Sequence, residues 1–459
     1  MEQITKPHCG ARLDRLPDCR WHSSMFAIVA FGLLVCWSNA VGGLILAQLK
    51  ALGWTDNSTT ATFSAITTAG MFLGALVGGI IGDKTGRRNA FILYEAIHIA
   101  SMVVGAFSPN MDFLIACRFV MGVGLGALLV TLFAGFTEYM PGRNRGTWSS
   151  RVSFIGNWSY PLCSLIAMGL TPLISAEWNW RVQLLIPAIL SLIATALAWR
   201  YFPESPRWLE SRGRYQEAEK GMRGIEEGVI RQTGKPLPPV VIADDGKAPQ
   251  AVPYSALLTG VLLKRVILGS CVLIAMNVVQ YTLINWLPTI FMTQGINLKD
   301  SIVLNTMSMF GAPFGIFIAM LVMDKIPRKT MGVGLLILIA VLGYIYSLQT
   351  SMLLITLIGF FLITFVYMYV CYASAVYVPE IWPTEAKLRG SGLANAVGRI
   401  SGIAAPYAVA VLLSSYGVTG VFILLGAVSI VVAIAIATIG IETKGVSVES
   451  LSIDAVANK

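Results

Sequence analysis

Long apolar runs, separated by short charged stretches, recur along the whole chain, and this alternation limits the possible folds more than any other feature. Only 12% of the 459 residues are charged, whereas soluble globular chains carry about 25%. A helix that crosses a bilayer needs about 17–25 mostly apolar residues. The sequence therefore predicts an all-α membrane protein with twelve transmembrane helices, at 25–49, 59–81, 89–107, 113–136, 148–174, 182–202, 266–292, 302–323, 331–347, 353–378, 391–414 and 420–440.

The twelve spans predict two six-helix bundles, since one long charged stretch divides them. The N-terminal stretch has basic residues but no apolar core, so we expect no cleavable signal and a first span that stays in the protein. The long stretch is interpreted either as a solvated linker or as a latch that binds the inner ends of the spans. The predicted domains are the N-terminal tail, first bundle, helical linker, second bundle and C-terminal tail, at 1–24, 25–202, 203–265, 266–440 and 441–459.

Basic residues predict the orientation of the spans. Nearly all of the 33 Lys and Arg residues fall in loops on one side when the spans alternate. Cytoplasmic loops of membrane proteins carry an excess of Lys and Arg. We therefore expect both termini in the cytoplasm, and topology explains the net charge of +9 better than a nucleic-acid partner does.

The composition argues against metal chemistry and against an enzyme. The chain has seven Cys and three His residues, and none of them forms a CxxC or zinc-ligand spacing. No nucleophile–base pair or phosphate-binding loop is visible either. The sequence thus predicts no cofactor, no metal site and no catalytic residue.

Two charged loop motifs occur once in each half of the chain. GDKTGRR (82–88) follows the second predicted span, and DKIPRKT (324–330) follows the eighth. Glu138 with Arg145 follows the fourth span, and Glu380 with Arg389 follows the tenth at nearly the same offset. This repetition indicates that a six-span unit was duplicated, as in transporters that rock one half against the other.

At these motifs the chain resembles the major facilitator superfamily. GDKTGRR is similar to its loop signature, and Arg118 in RFVMGVGLGA resembles its fourth-span arginine. PESPRW, PEIWPTEAKLRG and IETKG resemble sugar porters and metabolite–proton symporters, including inner-membrane metabolite transporters of enteric bacteria. Charge-assisted hydrogen bonds at the cytoplasmic helix ends are expected to bridge the two halves when the inner mouth is closed. The predicted gating residues are Asp83, Arg87, Arg88, Glu138, Arg145, Glu204, Arg207, Asp324, Arg328, Glu380, Arg389 and Glu442.

Inside the spans the sequence departs from the sugar-porter pattern. Proton-coupled sugar porters carry an aspartate in span one, where this chain has neutral residues, and the glutamine pair of span seven is replaced by Ala275 and Met276. Span seven instead has polar residues at i, i+3, i+4 and i+8, which share one helical face. Amide and aromatic side chains of this kind suit a small polar solute. The predicted substrate-binding residues are Trp37, Asn39, Asn157, Asn277, Gln280, Tyr281, Asn285, Trp286, Tyr372 and Arg399.

Few ionisable residues lie deep inside the predicted spans: Glu95, His98, Arg118 and Arg399. Such residues usually line cavities, pair with one another or relay protons. Two arginines against one carboxylate favour an anionic substrate. Glu95 and His98 share a helical face and are interpreted either as structural support, because span three packs outside the central path in this superfamily, or as a proton-coupling pair. Arg118 and Glu138 are further candidates for proton coupling.

These features predict a secondary transporter that carries a small polar metabolite (a sugar, sugar acid or organic acid) across the bacterial inner membrane by alternating access. Proton-coupled import is the first hypothesis. The alternatives are an uncoupled facilitator, a drug-type exporter and a nutrient sensor that does not transport. The expected partners are the substrate, protons and the lipid bilayer around a monomer.

Overall fold

The computed structural model describes residues 7–17, 19–141, 145–240, 253–323, 325–382 and 386–443. Within these ranges every regular element is helical. Apolar sequences at membrane depth must satisfy their backbone hydrogen bonds internally, and the helix does this within one segment. The helices are α1 (Cys9–Asp14), α2 (Arg20–Gly32), α3 (Trp37–Ala40), α4 (Gly42–Ala51), α5 (Asn57–Thr85), α6 (Arg87–Ala106), α7 (Met111–Tyr139), α8 (Arg145–Asn157), α9 (Ser159–Leu170), α10 (Ala176–Tyr201), α11 (Pro206–Ser211), α12 (Tyr215–Thr233), α13 (Tyr254–Leu257), α14 (Gly260–Thr293), α15 (Leu298–Met309), α16 (Gly311–Val322), α17 (Arg328–Ser347), α18 (Met352–Cys371), α19 (Val378–Glu380) and α20 (Lys387–Ile439).

Ten helical segments of the described residues are long and apolar enough to cross a membrane. One of them, Arg389–Ile439, is 51 residues long. The backbone leaves helical geometry inside it at Gly417, where φ is 66°, and the sequence predicts separate spans eleven and twelve on either side. The predicted fifth span corresponds to α8 and α9 together. The all-helical class is confirmed, while the count of twelve spans and the cytoplasmic position of both termini stay predictions.

Span one is the least regular of the membrane segments. Its first helix, α2, gives way to a 3₁₀ helix at Leu33–Cys36, and short α-helices, α3 and α4, follow. A 3₁₀ stretch inside a helix often marks a hinge or a strained sequence. Span seven, its counterpart in the second half, is the continuous helix α14.

Glycines allow close helix packing at equivalent places in the two halves. A Cβ added to Gly74 on α5 would lie 2.0 Å from the carbonyl oxygen of Val123 on α7. A Cβ added to Gly315 on α16 would lie 2.3 Å from the carbonyl oxygen of Thr364 on α18. Small residues at such spacings let membrane helices approach backbone to backbone. Spans two and four, and spans eight and ten, therefore pack by the same device.

The chain forms two compact units, each assembled from separate stretches. The first comprises Met1–Asn39, Gly70–Ser159 and Leu184–Gly246, and it holds a buried core of large side chains that includes Phe136 and Tyr139. The second comprises Ala40–Ala69, Tyr160–Gln183 and Lys247–Lys459. All contacts described below lie within one unit or the other.

Candidate functional site

Span three carries a carboxylate and an imidazole that are both completely buried. Glu95 and His98 lie one turn apart on α6, and both side chains are 0% exposed. The nearest atoms, Glu95 Oε2 and His98 Nδ1, are 3.7 Å apart. Neither carboxylate oxygen of Glu95 has a hydrogen-bond partner among the described residues. Buried polar groups are nearly always hydrogen-bonded, so the Glu95 carboxylate is unusual, and both interpretations of it, structural support and proton coupling, stay predictions.

His98 connects span three to two other spans, and Arg118 on a fourth span joins them at Ser38. Its Nε2 atom lies 2.9 Å from Ser38 Oγ on α3, and its Nδ1 atom lies 3.4 Å from Ser191 Oγ on α10. Arg118 on α7 donates from Nη1 to the backbone oxygen of Ser38 at 2.8 Å. The sequence predicted Glu95, His98 and Arg118 as ionisable groups in the spans but gave no indication that Ser38 joins them. We call these five side chains the buried polar cluster.

The polar face of span seven packs against span eleven. A Cβ added to Gly398 on α20 would lie 3.0 Å from Asn277 Nδ2, and one added to Gly402 would lie 3.1 Å from the Tyr281 ring. Only glycine at these positions permits so close an approach. Of the four polar residues on this face, Asn277 and Asn285 are buried, whereas Gln280 and Tyr281 are partly exposed.

Arg399 follows Gly398 directly and therefore lies at the level of this polar face. Its side chain is partly exposed, and its Nη1 atom is buried without a hydrogen-bond partner among the described residues. A guanidinium group presents five N–H donors in a rigid fork that matches a carboxylate. The arrangement can receive an anionic or strongly hydrogen-bonding group.

Two predicted substrate residues lie in apolar or aromatic surroundings instead. Trp286 is fully buried in a cluster with Ala61 and Val409. Tyr372 is also fully buried, in a π-helical stretch at Tyr372–Tyr377, and its ring stacks on that of Tyr377 at 5.0 Å. A substrate role for both side chains stays a prediction.

Three predicted substrate residues lie on spans one and five. Trp37 and Asn39 are buried on α3, on either side of Ser38. Asn157 is partly exposed at the end of α8, and its Nδ2 donates to the backbone oxygen of Ser153 at 2.8 Å. Their role in binding also stays a prediction.

In the first half, the predicted gating residues form a charge network at the start of α6. Arg87 donates from Nε to Glu138 Oε1 at 2.8 Å and from Nη1 to Asp83 Oδ1 at 2.7 Å. Its backbone N–H donates to Glu204 Oε1 at 2.7 Å. Gly86 precedes it with a φ of 96°, and an added Cβ would lie 2.3 Å from Glu204 Oε2. The glycine of the loop motif is therefore needed both for its backbone conformation and for room beside the glutamate.

Glu204 caps the helix N-terminus at the membrane surface. Burial raises the pKa of its carboxyl group, although hydrogen bonds from the backbone N–H groups of Ser205, Arg87 and Arg88 lower the pKa in part. The linker also contacts this loop, because Trp208 Nε1 donates to the backbone oxygen of Asp83 at 2.7 Å.

The second half has a matching network at the start of α17. Arg328 donates from Nε to Glu380 Oε2 at 3.0 Å and from Nη2 to Glu380 Oε1 at 3.2 Å. Glu442 accepts from the backbone N–H groups of Arg328 and Lys329 at 2.8 and 3.1 Å. Thr443 Oγ1 donates to Glu380 Oε2 at 2.6 Å.

The side chains of the remaining predicted gating residues lie apart from these two networks or outside the described part of the chain. Arg207 Nη2 donates to Asp14 Oδ1 at 2.9 Å, and Arg389 lies over the Tyr254 ring at 5.2 Å. Arg88 lies over the Trp199 ring at 5.7 Å. Asp324 and the side chain of Arg145 lie outside the described residues. The described bonds form within each half, and a bridge between the halves stays a prediction.

The structure adds an N-terminal clamp, which we define as α1 with Arg12 and Arg15. Arg12 donates to Glu226 on α12 at 3.0 and 2.6 Å and also pairs with Glu219, while Arg15 donates to Glu226 at 2.6 Å. Burial acts to raise the pKa of Glu226, but hydrogen bonds from both arginines lower it overall. The sequence signal for this contact is the apolar i, i+4, i+7 spacing of Cys9, Leu13 and Leu16, three residues that are buried against the linker helices.

Comparisons with known proteins agree with this architecture. The family model described as Major Facilitator Superfamily matches residues 25–406. The chain is 99% identical over the full length of both chains to YdjK of Escherichia coli (strain K12), named as a metabolite transport protein. It is 44% identical to the inner membrane metabolite transport protein YdjE of the same organism, over 98% of this chain and 99% of that one.

A solved structure shows the same fold. The xylose transporter XylE from E. coli, in a partially occluded inward open conformation, matches with a TM-score of 0.73 at 18% sequence identity, covering 93% of this chain and 100% of that one. The resemblance deduced from the loop motifs is thereby confirmed. The chain is a multi-pass protein of the bacterial inner membrane and a metabolite transporter rather than an enzyme; it belongs to the major facilitator superfamily.

Proposed function

We propose that this protein imports a small sugar acid or organic acid together with protons across the inner membrane by alternating access. The observation that carries the proposal is Arg399, whose buried Nη1 atom has no hydrogen-bond partner among the described residues. Leaving a buried donor unsatisfied is unfavourable by about 1–3 kcal/mol. A carboxylate bound beside the polar face of span seven would satisfy the guanidinium and neutralise its charge.

Alternating access is supported by contacts at the predicted outer ends of the spans. A Cβ added to Gly43 on α4 would lie 2.4 Å from the carbonyl oxygen of Ile284 on α14. Asn305 Nδ2 on α15 donates to Ser164 Oγ on α9 at 3.0 Å. Each contact joins a helix of the first sequence half to one of the second, so a substrate entering from the predicted outer side requires them to open.

Proton coupling is supported by the buried polar cluster and, by analogy of fold, by XylE, which is described as a proton:xylose symporter. Uncoupled facilitation is the second candidate. It is favoured by span one, where Trp37, Ser38 and Asn39 are all neutral.

The test is uptake of labelled D-gluconate and D-xylose into proteoliposomes, with and without an inward proton gradient. We expect D-gluconate to accumulate only with the gradient. Arg399→Lys should reduce uptake at least about tenfold, because a point charge does not replace a planar two-pronged donor. Arg200→Lys, at an exposed position on α10, is the control and should retain uptake.

Three results would contradict the proposal. Full D-gluconate uptake by Arg399→Lys would contradict the contact between Arg399 and the substrate carboxylate. Transport of D-xylose in preference to D-gluconate would contradict an acidic substrate. Equal uptake with and without the gradient would favour the uncoupled facilitator.

A further inference from the structure

We propose that Glu95 and His98 bind the coupling proton as a pair and pass their charge state to span one through Ser38. This inference rests on the proton coupling of the proposed function and assigns it to named atoms. It places the proton on span three. Proton-coupled sugar porters carry an aspartate in span one, and this chain has only neutral residues there.

The first support is the unsatisfied carboxylate. Both oxygens of Glu95 are buried and have no hydrogen-bond partner among the described residues, and His98 Nδ1 lies 3.7 Å from Oε2. An ionised carboxylate taken out of water without a partner is strongly disfavoured. A group in this position is stabilised either by a proton of its own or by a proton on His98, so it responds directly to proton supply.

The second support is that the charge of the pair has few neighbours to screen it. The ionisable group that the neighbouring helices bring into the cluster is Arg118 on α7, and it is directed to the backbone oxygen of Ser38. Span one contributes Ser38 Oγ, and span six contributes Ser191 Oγ, neither of which carries charge. Adding or removing one proton therefore changes the local charge by a full unit next to Arg118.

The third support is the place at which the pair touches span one. His98 Nε2 lies 2.9 Å from Ser38 Oγ, and Ser38 follows the 3₁₀ stretch Leu33–Cys36 by two residues. Imidazolium donates from both nitrogens, whereas neutral imidazole donates from only one. When His98 is protonated, Nε2 donates to Ser38 while Nδ1 faces Glu95. When the pair releases a proton, only one imidazole nitrogen still donates. Either Nδ1 no longer donates towards Glu95, or the Ser38 contact reverses and Ser38 Oγ donates to Nε2.

The proton balance needs no other reactant. One proton from the outer solution converts a Glu95 carboxylate beside neutral His98 into a neutral pair, either as two uncharged groups or as carboxylate and imidazolium. Release of the same proton to the cytoplasm restores the starting state. The irregular part of span one is the element whose conformation the exchange would bias, because both Arg118 and His98 hold it at Ser38.

The deciding experiment is infrared difference spectroscopy of the purified protein in lipid vesicles between acidic and alkaline pH. A carboxylic acid in apolar surroundings gives a carbonyl band at the high-frequency end of its range. We expect this band in the wild type when the proton lies on Glu95, and imidazolium ring bands when it lies on His98. Met102→Leu, a volume-conserving control on the same buried face of α6, should show the same band as the wild type. Glu95→Gln should lose whichever band the wild type shows and still elute as a monodisperse peak in gel filtration.

A second measurement uses D-gluconate. Glu95→Gln should reduce gradient-driven accumulation at least about tenfold while counterflow exchange stays within about twofold, because exchange requires no net protonation cycle. An unchanged infrared band in Glu95→Gln would overturn the assignment, and so would undiminished uphill accumulation. Failure of the wild type to carry D-gluconate would contradict the proposed function only, since the infrared comparison decides the role of the pair by itself.

Discussion

The two charge networks, at the helix ends that the sequence predicts to be cytoplasmic, follow one plan but are completed differently. In each half an arginine at the start of a helix pairs with a glutamate 51 or 52 residues further on. A second glutamate, 117 or 114 residues from the arginine, accepts from its backbone N–H. Glu380 has both oxygens hydrogen-bonded, whereas Glu138 Oε2 is buried without a partner among the described residues.

This difference shows which part of a duplicated motif is inherited and which depends on its surroundings. The spacing of arginine and glutamates reproduces the network because it sets which helix ends meet. Thr443 donates to Glu380 and completes that carboxylate, whereas the first network contacts the linker, and the linker in turn binds the N-terminal clamp. The first network therefore keeps unused hydrogen-bonding capacity.

The largest expected effect distinguishes the residues that precede the two arginines. Gly86→Ala should lower stability by about 2–4 kcal/mol, because an L-residue is strained at a φ of 96° and its Cβ would overlap Glu204. Pro327→Ala at the equivalent place, where φ is −56°, should change stability by less than about 1 kcal/mol. Thermal midpoints of both variants in detergent measure the difference. Equal midpoints would mean that the two helix starts are interchangeable.

The next effect tests what each carboxylate loses with its arginine. Arg87→Ala should lower stability by about 2–3 kcal/mol, because the Glu138 carboxylate, 20% exposed and with a buried Oε2, then loses its arginine partner. Arg328→Ala should lower stability less, because Glu380 keeps Thr443 and is 35% exposed. The double variant Arg87→Ala/Glu138→Gln should regain part of the loss. The comparison fails if Arg328→Ala is the more damaging variant or if the double variant recovers nothing.

The smallest effect concerns the clamp, which binds the linker that contacts the first network. The pKa of Glu226 is lowered from 4.5 in the folded protein, so its contribution to stability is present above that value and is lost as the pH falls through the lowered pKa. Glu226→Gln should lower the free energy of unfolding near neutral pH by about 1 kcal/mol, a figure reduced for solvent screening. The variant should also lose less stability than the wild type as the pH falls. Glu227→Gln, at the adjacent exposed position, is the control for thermal midpoints between pH 3 and 7 (about the range in which glutamates titrate). Parallel pH curves for Glu226→Gln and wild type would contradict the clamp's electrostatic role.

Much of the candidate site could be predicted because its residues are conspicuous in an apolar background. Glu95, His98, Arg118 and Arg399 stand out in their spans, and the repeated loops identify Arg87 and its partners. Ser38 and Ser191 could not be found this way, since hydroxyl groups are common in membrane helices and satisfy themselves locally. The surroundings of Trp286 and Tyr372 could not be predicted either: Trp286 packs among apolar side chains and Tyr372 stacks on Tyr377, while their substrate role stays a prediction.

The sequence by itself determined the membrane class, the helical fold and the duplicated network, because apolar run length and loop charge act locally and repeat along the chain. The family followed from the same motifs. Only the tertiary structure decided that Glu95 is left without a hydrogen-bond donor, that His98 reaches Ser38 and that α1 binds the linker. Each of these depends on which helix faces meet across long stretches of chain, and hydrophobic periodicity specifies a buried face without specifying its neighbour.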